Sequence, residues 1–280
     1  MPDSMRASLL IGLCLFLAAR PGITQTTITA NEAENLVNYA YGTLFGTGFY
    51  ELDGRSVAIL QFPVGFDLRE AEKKRFGMRF ELPIAIGLQN YDFTSIPEFD
   101  LDNLATLSVL PGIKFSFLLK ERWTLDPSVY LGYGRDITNN IGSILYGAGL
   151  SSRRKFDLAK PRLTFGTNVI ANGYTPEQGP SRFITRFGAG LDALFPTGMT
   201  LGDRDLLIGT FGIAYLFLNE LEVRSPTQGT IKIRNEYEIG IAVAGEPAFK
   251  FLGFKFERMG LSYRFSEHTD AILLNGRFPF

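Results

Sequence analysis

The feature that most constrains this chain is an alternation of apolar and polar residues that recurs along most of its length. It is clearest over residues 76–89, where seven apolar side chains occupy every second position: Phe76, Met78, Phe80, Leu82, Ile84, Ile86 and Leu88. Successive side chains of a β-strand point to opposite faces, so this period predicts a strand with one apolar face. Similar patterns predict further strands within residues 43–49, 57–69, 107–117, 123–134, 142–153, 161–173, 183–195, 206–218, 231–243, 254–265 and 270–280. The chain is therefore expected to be all-β, with about twelve strands and with ten or fourteen as the alternatives.

The segment Asp270–Phe280 has the same pattern and ends on an aromatic residue. Counting back in twos places one set of side chains on a single face: Phe280, Phe278, Gly276, Leu274 and Ile272. Antiparallel barrels of the bacterial outer membrane carry aromatic residues where their wall leaves the lipid. We therefore predict that this segment is the closing strand of a barrel, with Phe278 and Phe280 on its outer face.

Alternation alone does not identify the face that meets water, because a soluble barrel with its apolar side turned inward has the same pattern. Three observations favour an apolar exterior. A barrel of about twelve strands encloses a lumen wider than side chains fill, whereas about eight strands pack tightly. The polar face is rich in Gly and Ser as well as in charge, which favours a wet interior. Aromatic residues of the apolar face lie near strand ends, as in interfacial girdles; they are Trp123, Tyr133, Phe183, Phe195, Tyr215, Phe217, Tyr263, Phe265, Phe278 and Phe280.

The first residues have the pattern of an export signal. Arg6 precedes a thirteen-residue apolar segment, Ala7–Ala19, and the predicted signal peptide covers residues 1–24 with an uncertain cleavage site. Residues 25–42 are predicted to form a short amphipathic helix that either occupies the lumen or lies at the periplasmic mouth. After the signal, no apolar run reaches the roughly 18 residues of a membrane helix, so a membrane protein of this kind would have to cross with strands.

The connections between the predicted strands suggest an orientation. If Phe280 ends on the periplasmic side, the links 119–122 and 244–248 are short periplasmic turns. The links 90–103, 172–181 and 219–229 then become longer external loops, as is usual in outer-membrane barrels. The periplasmic links 70–75 and 196–204 are longer than that rule prefers.

The polar face gathers charges of both signs, which predicts an ion network in the lumen: Arg79, Glu81, Lys114, Asp126, Arg186, Asp192, Lys232, Arg234, Glu236 and Glu238, with Arg258 as a further candidate. Buried charges persist when they are paired or hydrated, so cross-strand ion pairs are the simplest interpretation. The alternative is a pore whose charges bias solute passage. Rings of a single sign would favour selectivity, and this mixture does not.

Catalytic patterns are sparse. The chain has one histidine, His268, in the segment Ser266–Asp270, and its one cysteine, Cys14, lies within the predicted signal. A lone histidine without an orienting partner carries little catalytic information, so we expect no enzymatic activity, with a lipid-modifying enzyme that uses His268 as the remote alternative. Metal clusters and phosphate loops are absent from the sequence, so no cofactor is expected. A net charge of −1 gives no indication of nucleic-acid binding.

The pattern Gly276, Arg277, Phe278, Pro279 and Phe280 resembles the end of the translocator barrels of bacterial autotransporters. Residues 43–280 are similar to these barrels in length, in the apparent strand count and in the short helix that precedes them. Only residues 25–42 lie between the signal and the barrel, so the chain resembles a solitary autotransporter-like barrel without a passenger.

The resemblance implies an integral protein of the Gram-negative outer membrane, without enzymatic activity, that forms a narrow or plugged pore. A solute-specific channel of the porin class is the alternative. The expected partners are outer-membrane lipid and the barrel assembly machinery, which would recognise the terminal strand through Phe278 and Phe280. The barrel itself is expected to be a monomer.

Overall fold

The computed structural model describes residues 46–52, 55–72, 75–89, 104–137, 140–156, 161–178, 180–225, 229–251, 254–278 and 280. These residues contain thirteen β-strands and no helix: β1 (Gly48–Leu52), β2 (Arg55–Arg69), β3 (Gly77–Gln89), β4 (Leu104–Val109), β5 (Gly112–Lys120), β6 (Trp123–Asp136), β7 (Ile141–Lys155), β8 (Arg162–Pro176), β9 (Arg182–Leu201), β10 (Arg204–Ser225), β11 (Gly229–Phe251), β12 (Phe254–Phe265) and β13 (Thr269–Asn275). The predicted signal and the predicted helix at 25–42 lie outside the described residues. Among the residues that are described, no helix has the length and apolar character needed to cross a membrane.

The strands form one antiparallel sheet that closes on itself. From β6 to β13 each strand pairs with the next along the chain, and β1 pairs with both β13 and β2. Both β4 and β5 lie between β3 and β6, so they form one strand of the wall that is interrupted at Leu110 and Pro111. The Leu110 amide still donates to the Pro83 carbonyl at 2.9 Å across the interruption. The wall therefore has twelve strands, which confirms the predicted fold class.

The apolar face of the wall points outward. In β11, Ile239 and Ile241 are 57% and 64% exposed, while Glu236 and Glu238 on the opposite face are 0% and 1% exposed. The same alternation holds in β6, where Leu131 is exposed and Asp126 is buried. Charges inside and bulky apolar residues outside reverse the arrangement of a soluble barrel. The predicted orientation of the two faces is confirmed.

Several connections are shorter than predicted because the strands extend into them. Strands β9, β10 and β11 have 20, 22 and 23 residues. The predicted links 196–204, 219–229 and 244–248 consequently lie mostly within strands, and β9 and β10 are joined by a turn at 202–203. Register shifts after Leu216 and after Ala244 accommodate the additional residues. The predicted contrast between short and long connections is reduced, although the gap of 90–103 between β3 and β4 remains long.

The end of the chain departs from the prediction. β13 ends at Asn275, and the residues after it bend at Gly276 and Arg277 and enter the lumen. Gly276–Phe278 and Phe280 are called the C-terminal tail below. Phe278 and Phe280 are each 4% exposed, so their predicted position on the outer face was wrong. A pattern counted in twos does not detect a bend that redirects apolar side chains from one side of the wall to the other.

The predicted outward facing of the aromatic residues near strand ends is partly confirmed. Tyr133, Phe183, Phe195 and Tyr263 are exposed on the outer face, and Trp123 and Phe265 are half-buried. In β10 the prediction was wrong, because Tyr215 and Phe217 point inward and are 2% and 4% exposed. Both faces of that strand are apolar, so its alternation does not determine its orientation.

Candidate functional site

The inner face of the wall carries nine buried charged side chains among the described residues: Glu81, Asp126, Asp136, Arg186, Asp192, Glu236, Glu238, Arg258 and Arg264. Burying a charge away from water is costly unless it is paired or hydrogen-bonded. The partners of these charged groups therefore indicate whether the lumen is arranged to conduct solutes or whether its charges are paired to stabilise the barrel wall.

One ion pair crosses the lumen between strands that are not neighbours. Arg258 of β12 donates from Nη1 to Oδ1 of Asp192 at 2.6 Å and from Nη2 to Oδ2 at 2.8 Å, and Asp192 belongs to β9. Paired donors and acceptors of this kind are among the strongest protein hydrogen bonds. Since β10 and β11 separate the two residues in the wall, the pair braces the barrel from within.

A second group is centred on Glu238 of β11. Its Oε2 accepts hydrogen bonds from Arg264 Nη2 at 2.8 Å and from the Tyr215 hydroxyl at 3.0 Å. Its Oε1 accepts one from the Ser262 hydroxyl at 2.6 Å, and Ser262 accepts one from the Asn275 side chain at 2.7 Å. Strands β10 to β13 are therefore joined by side chains as well as by their backbones.

Two arginines share one aromatic ring beside Glu238. The guanidinium carbon of Arg186 lies 4.3 Å from the centre of the Tyr215 ring, and that of Arg264 lies 4.8 Å from it. Arg264 Nη1 also lies 4.0 Å from Glu236. Two cations and two carboxylates meet here, so the group is formally neutral. That balance favours a structural network over a charged ring that selects ions.

A third group lies on β2 to β7. Arg79 contacts Asp67 at 2.8 Å and Glu81 at 3.7 Å, and Glu81 also accepts a hydrogen bond from Tyr130. Arg277 of the C-terminal tail approaches Glu81 at 3.8 Å, which connects the tail to this side of the wall.

In the same region Asp126 of β6 pairs with Arg153 of β7 at 3.3 Å. Lys114 is half-buried on β5 and pairs in register with Arg79. The third group therefore reaches from β2 to β7 across neighbouring strands.

The predicted ion network is therefore only partly correct. Six of the predicted members are buried in the lumen, namely Glu81, Asp126, Arg186, Asp192, Glu236 and Glu238, and the candidate Arg258 joins them. Arg79 and Lys114 are half-buried beside them. Lys232 and Arg234 were predicted wrongly: both are exposed, while Ile233 between them is 2% exposed and points inward. The facing strand β10 shifts register between Leu216 and Leu221, and β11 reverses its facing in the same place.

Arg264 was missed, although the sequence contained the necessary signal. It lies two residues from Ser262 and six from Arg258. All three occupy the same face of β12, opposite the exposed Met259, Leu261 and Tyr263. The slip in apolar phase earlier in this segment obscured that alignment.

Apolar side chains form two buried clusters in addition to these charged groups. One buried cluster lies toward the end of the barrel that carries the turn 266–268. It comprises Tyr50, Val57, Ile59, Leu110, Leu145, Tyr174, Ile184, Phe217, Ile233, Ala271 and Leu273. A second cluster comprises Phe211, Ile213, Tyr215, Phe278 and Phe280. The expectation that twelve strands leave a lumen too wide to fill is therefore wrong in the regions that these residues occupy.

The C-terminal tail completes the second cluster by packing against bare backbone. A Cβ added at Gly166 would lie 2.6 Å from the Phe280 ring, and one added at Gly190 would lie 2.8 Å from it. Phe278 meets Phe211 edge-on at 6.0 Å between ring centres. Inward glycines had suggested a wet interior, but here they provide room for aromatic rings.

The remaining candidate, His268, lies in the turn between β12 and β13. Its backbone amide donates to the Ser266 hydroxyl at 3.2 Å, and the nearby Asp270 carboxylate accepts a hydrogen bond from Tyr263. The Ser266 hydroxyl is thus engaged by the backbone of His268, and the Asp270 carboxylate is engaged by Tyr263. Across the part of the chain that the structure describes, no group of three or more His, Cys, Asp or Glu side chains is placed to hold a metal ion.

Comparisons with known proteins give no family assignment. No protein-family model matches the sequence, and no curated protein matches it significantly.

Proposed function

We propose that this chain is an integral barrel of the Gram-negative outer membrane whose lumen is closed by its own side chains. The observation that carries the proposal is the apolar outer belt, in which residues as large as Leu131, Ile241 and Met259 are more than 60% exposed. Soluble monomers rarely expose contiguous apolar patches above a few hundred Å². Lipid is the surrounding that makes such a belt favourable.

A closed lumen supports a structural or scaffolding role over solute passage. Groups of paired charges of both signs brace the wall, and two apolar clusters occupy space that a channel would leave open. We therefore propose a plugged barrel, similar to an autotransporter translocator that lacks a passenger, and no enzymatic activity. The assembly machinery would recognise the C-terminal residues before the chain folds, because Phe278 and Phe280 are both buried in the folded barrel.

The test of this proposal combines localisation with conductance. Native chain expressed in a Gram-negative host should fractionate with the outer membrane and migrate faster on gels before heating than after it. Purified chain in planar bilayers should give no steady current. Recovery in the soluble fraction would contradict the membrane position. A steady ohmic current would instead support the solute-specific channel.

A separate assay addresses enzymatic activity. Purified native chain and His268→Ala should both lack ester hydrolysis above a blank that contains detergent alone. Hydrolysis by the native chain that His268→Ala abolishes would contradict the non-enzymatic proposal and identify His268 as a catalyst.

A further inference from the structure

Cations and aromatic rings cluster on one sector of the outer face, near the turn 121–122. Trp123 points outward, since Asp126 three residues further along β6 is buried in the lumen. Lys120 and Arg154 are its register partners on β5 and β7. Arg69 and Phe76 continue the sector along β2 and into β3. Arg69, Phe76, Lys120, Trp123, Arg154 and Phe156 are called the basic rim below.

Two irregularities in the strands place cations on this surface. The register shifts between Asp67 and Arg69, which makes Arg69 the partner of Met78 instead of leaving it on the lumen side with Asp67. A second shift between Leu118 and Lys120 makes Lys120 the partner of the outward-facing Trp123. Bulges of this kind redirect a side chain and are common at barrel rims.

Two of the three cations of the basic rim, Arg69 and Arg154, lie against aromatic rings. The guanidinium carbon of Arg69 lies 3.8 Å from the centre of the Phe76 ring, and its Nε donates to the Phe76 carbonyl at 2.8 Å. Arg154 lies 5.5 Å from the centre of the Phe156 ring. Trp123 is fixed by a 2.8 Å hydrogen bond from Nε1 to Ser152. Cationic side-chain groups beside aromatic rings are typical of the membrane interface, where the acyl chains of the lipid meet its headgroups.

The local charge is positive. The described residues of 69–75, 120–122 and 154–156 include six cations and three acids, namely Arg69, Arg75, Lys120, Arg122, Arg154 and Lys155 against Glu70, Glu72 and Glu121. The excess lies directly beside the exposed apolar residues Leu68 and Leu119, which are 57% and 48% exposed. A ligand that suits both features has an anionic group attached to hydrocarbon.

We infer that the basic rim binds the phosphate of an anionic phospholipid, whose acyl chains lie along the adjacent apolar belt. The inference rests on the proposed membrane position and adds a headgroup preference to it. Lys120 and Arg154, which flank Trp123 on the two neighbouring strands, contact the phosphate of one lipid, and Arg69 on β2 contacts that of an adjacent lipid. Phe76 and Trp123 lie at the level of the glycerol. Basic side chains near an anionic membrane surface each favour it by about a fivefold factor in binding.

Trp123 provides the readout, because it is the one tryptophan of the chain and lies within the basic rim. The full chain is placed in phosphatidylcholine vesicles that carry a minor fraction of brominated lipid, either brominated phosphatidylglycerol or brominated phosphatidylcholine. We expect the anionic lipid to be at least about fivefold enriched beside Trp123, as judged by the ratio of the two quenching efficiencies. High salt should reduce that ratio toward one, since exposed charges are screened.

The outcomes separate this inference from the proposed function. Equal quenching by the two lipids would overturn the headgroup site and leave the membrane barrel intact. Absence of quenching by either lipid would overturn the membrane position and the inference with it. Unlabelled lipopolysaccharide is added in a further arm. If it abolishes quenching by brominated phosphatidylglycerol at concentrations where unlabelled phosphatidylglycerol does not, the phospholipid assignment is overturned.

A matched pair of variants tests the residues. The triple variant Arg69→Gln, Lys120→Gln, Arg154→Gln should lose the anionic preference while quenching by brominated phosphatidylcholine persists. The control removes three exposed cations that lie toward the opposite end of the barrel, through Arg135→Gln, Arg182→Gln and Arg234→Gln, and should keep the preference. Loss in both variants, or in neither, would contradict the assignment. The salt dependence of native chain provides the same test if the triple variant does not fold.

Discussion

The position of Phe280 leads to a sharp prediction for Gly166→Ala. The added Cβ would lie 2.6 Å from Cδ2 and Cγ of Phe280 and 2.8 Å from its Cβ, with no other residue among the three nearest atoms. Ordinary carbon contacts are about 3.5–4.0 Å, so the ring must move by roughly 1 Å. Overpacking of this kind costs about 1–3 kcal/mol, and the gain from replacing a strand glycine offsets about 0.5–1 kcal/mol of that. The net loss of stability should be about 1–2 kcal/mol.

The cause of that loss is isolated by a double-mutant cycle with Phe280→Ala. Truncating a buried phenylalanine costs about 3–5 kcal/mol by itself. In the Phe280→Ala background, however, the two ring atoms at 2.6 Å are gone and only the Cβ of residue 280 remains close, at 2.8 Å, so Gly166→Ala should cost much less than it does in the native background. The double variant should therefore be more stable than the sum of the two single losses predicts, by a coupling energy of about 1–3 kcal/mol. That energy exceeds the usual deviation from additivity.

The assay is urea unfolding of the refolded chain in detergent micelles, followed by the fluorescence of Trp123 and by heat-modifiable migration. Gly212→Ala is the matched control, because a Cβ at Gly212 of β10 meets nothing within 4 Å. It should leave stability unchanged or slightly raised. If Gly166→Ala is as benign as Gly212→Ala in the native background, the Phe280 ring does not lie in the lumen.

Three further predictions use the same purified chain. Arg258→Met should cost about 3–5 kcal/mol by leaving Asp192 buried without its partner, and adding Asp192→Leu should recover most of that loss in urea titrations. Ile241→Arg should cost about 2–4 kcal/mol in lipid vesicles, whereas Leu201→Arg, at an exposed position beside the turn 202–203, should cost at most about 1 kcal/mol; equal costs would contradict an apolar belt in lipid. The double variant Phe278→Ala, Phe280→Ala should remain silent in planar bilayers, because the apolar cluster around Tyr50 and Leu145 still fills the other part of the lumen; steady current would show that the tail alone closes the barrel.

Much of the fold could be predicted because barrel walls obey a local rule. A period of two fixes which side chains share a face, and strands such as β3 and β6 keep that period without interruption. The strand count and the orientation of the faces follow from this local pattern. The positions of Glu236 and Glu238 were predicted for the same reason, since the alternation on β11 is regular from Glu236 to Ala244.

The errors arise where the chain breaks that rule. Gly276 turns the C-terminal tail out of the wall, and the register changes near Arg234 reverse the faces of β11. The hydrophobicity pattern of the sequence does not reveal either change, because each depends on how neighbouring strands pair. The contact between Phe280 and Gly166 likewise joins residues that only the closed barrel brings together. The partners of the buried charges could not be predicted for this reason, although their inward facing could.

The central claim is that lipid covers the outer face of the wall while the inner face is packed and shielded. Spin labels attached to cysteines introduced singly at positions 237–243 of β11, with Cys14 replaced by serine, test it directly in lipid vesicles. We expect labels at the Tyr237, Ile239, Ile241 and Val243 positions to be accessible to dissolved oxygen and protected from a water-soluble nickel reagent, and labels at the positions between them to be protected from both. Access of the nickel reagent to the Ile239 and Ile241 positions, or accessibility without a period of two, would contradict it.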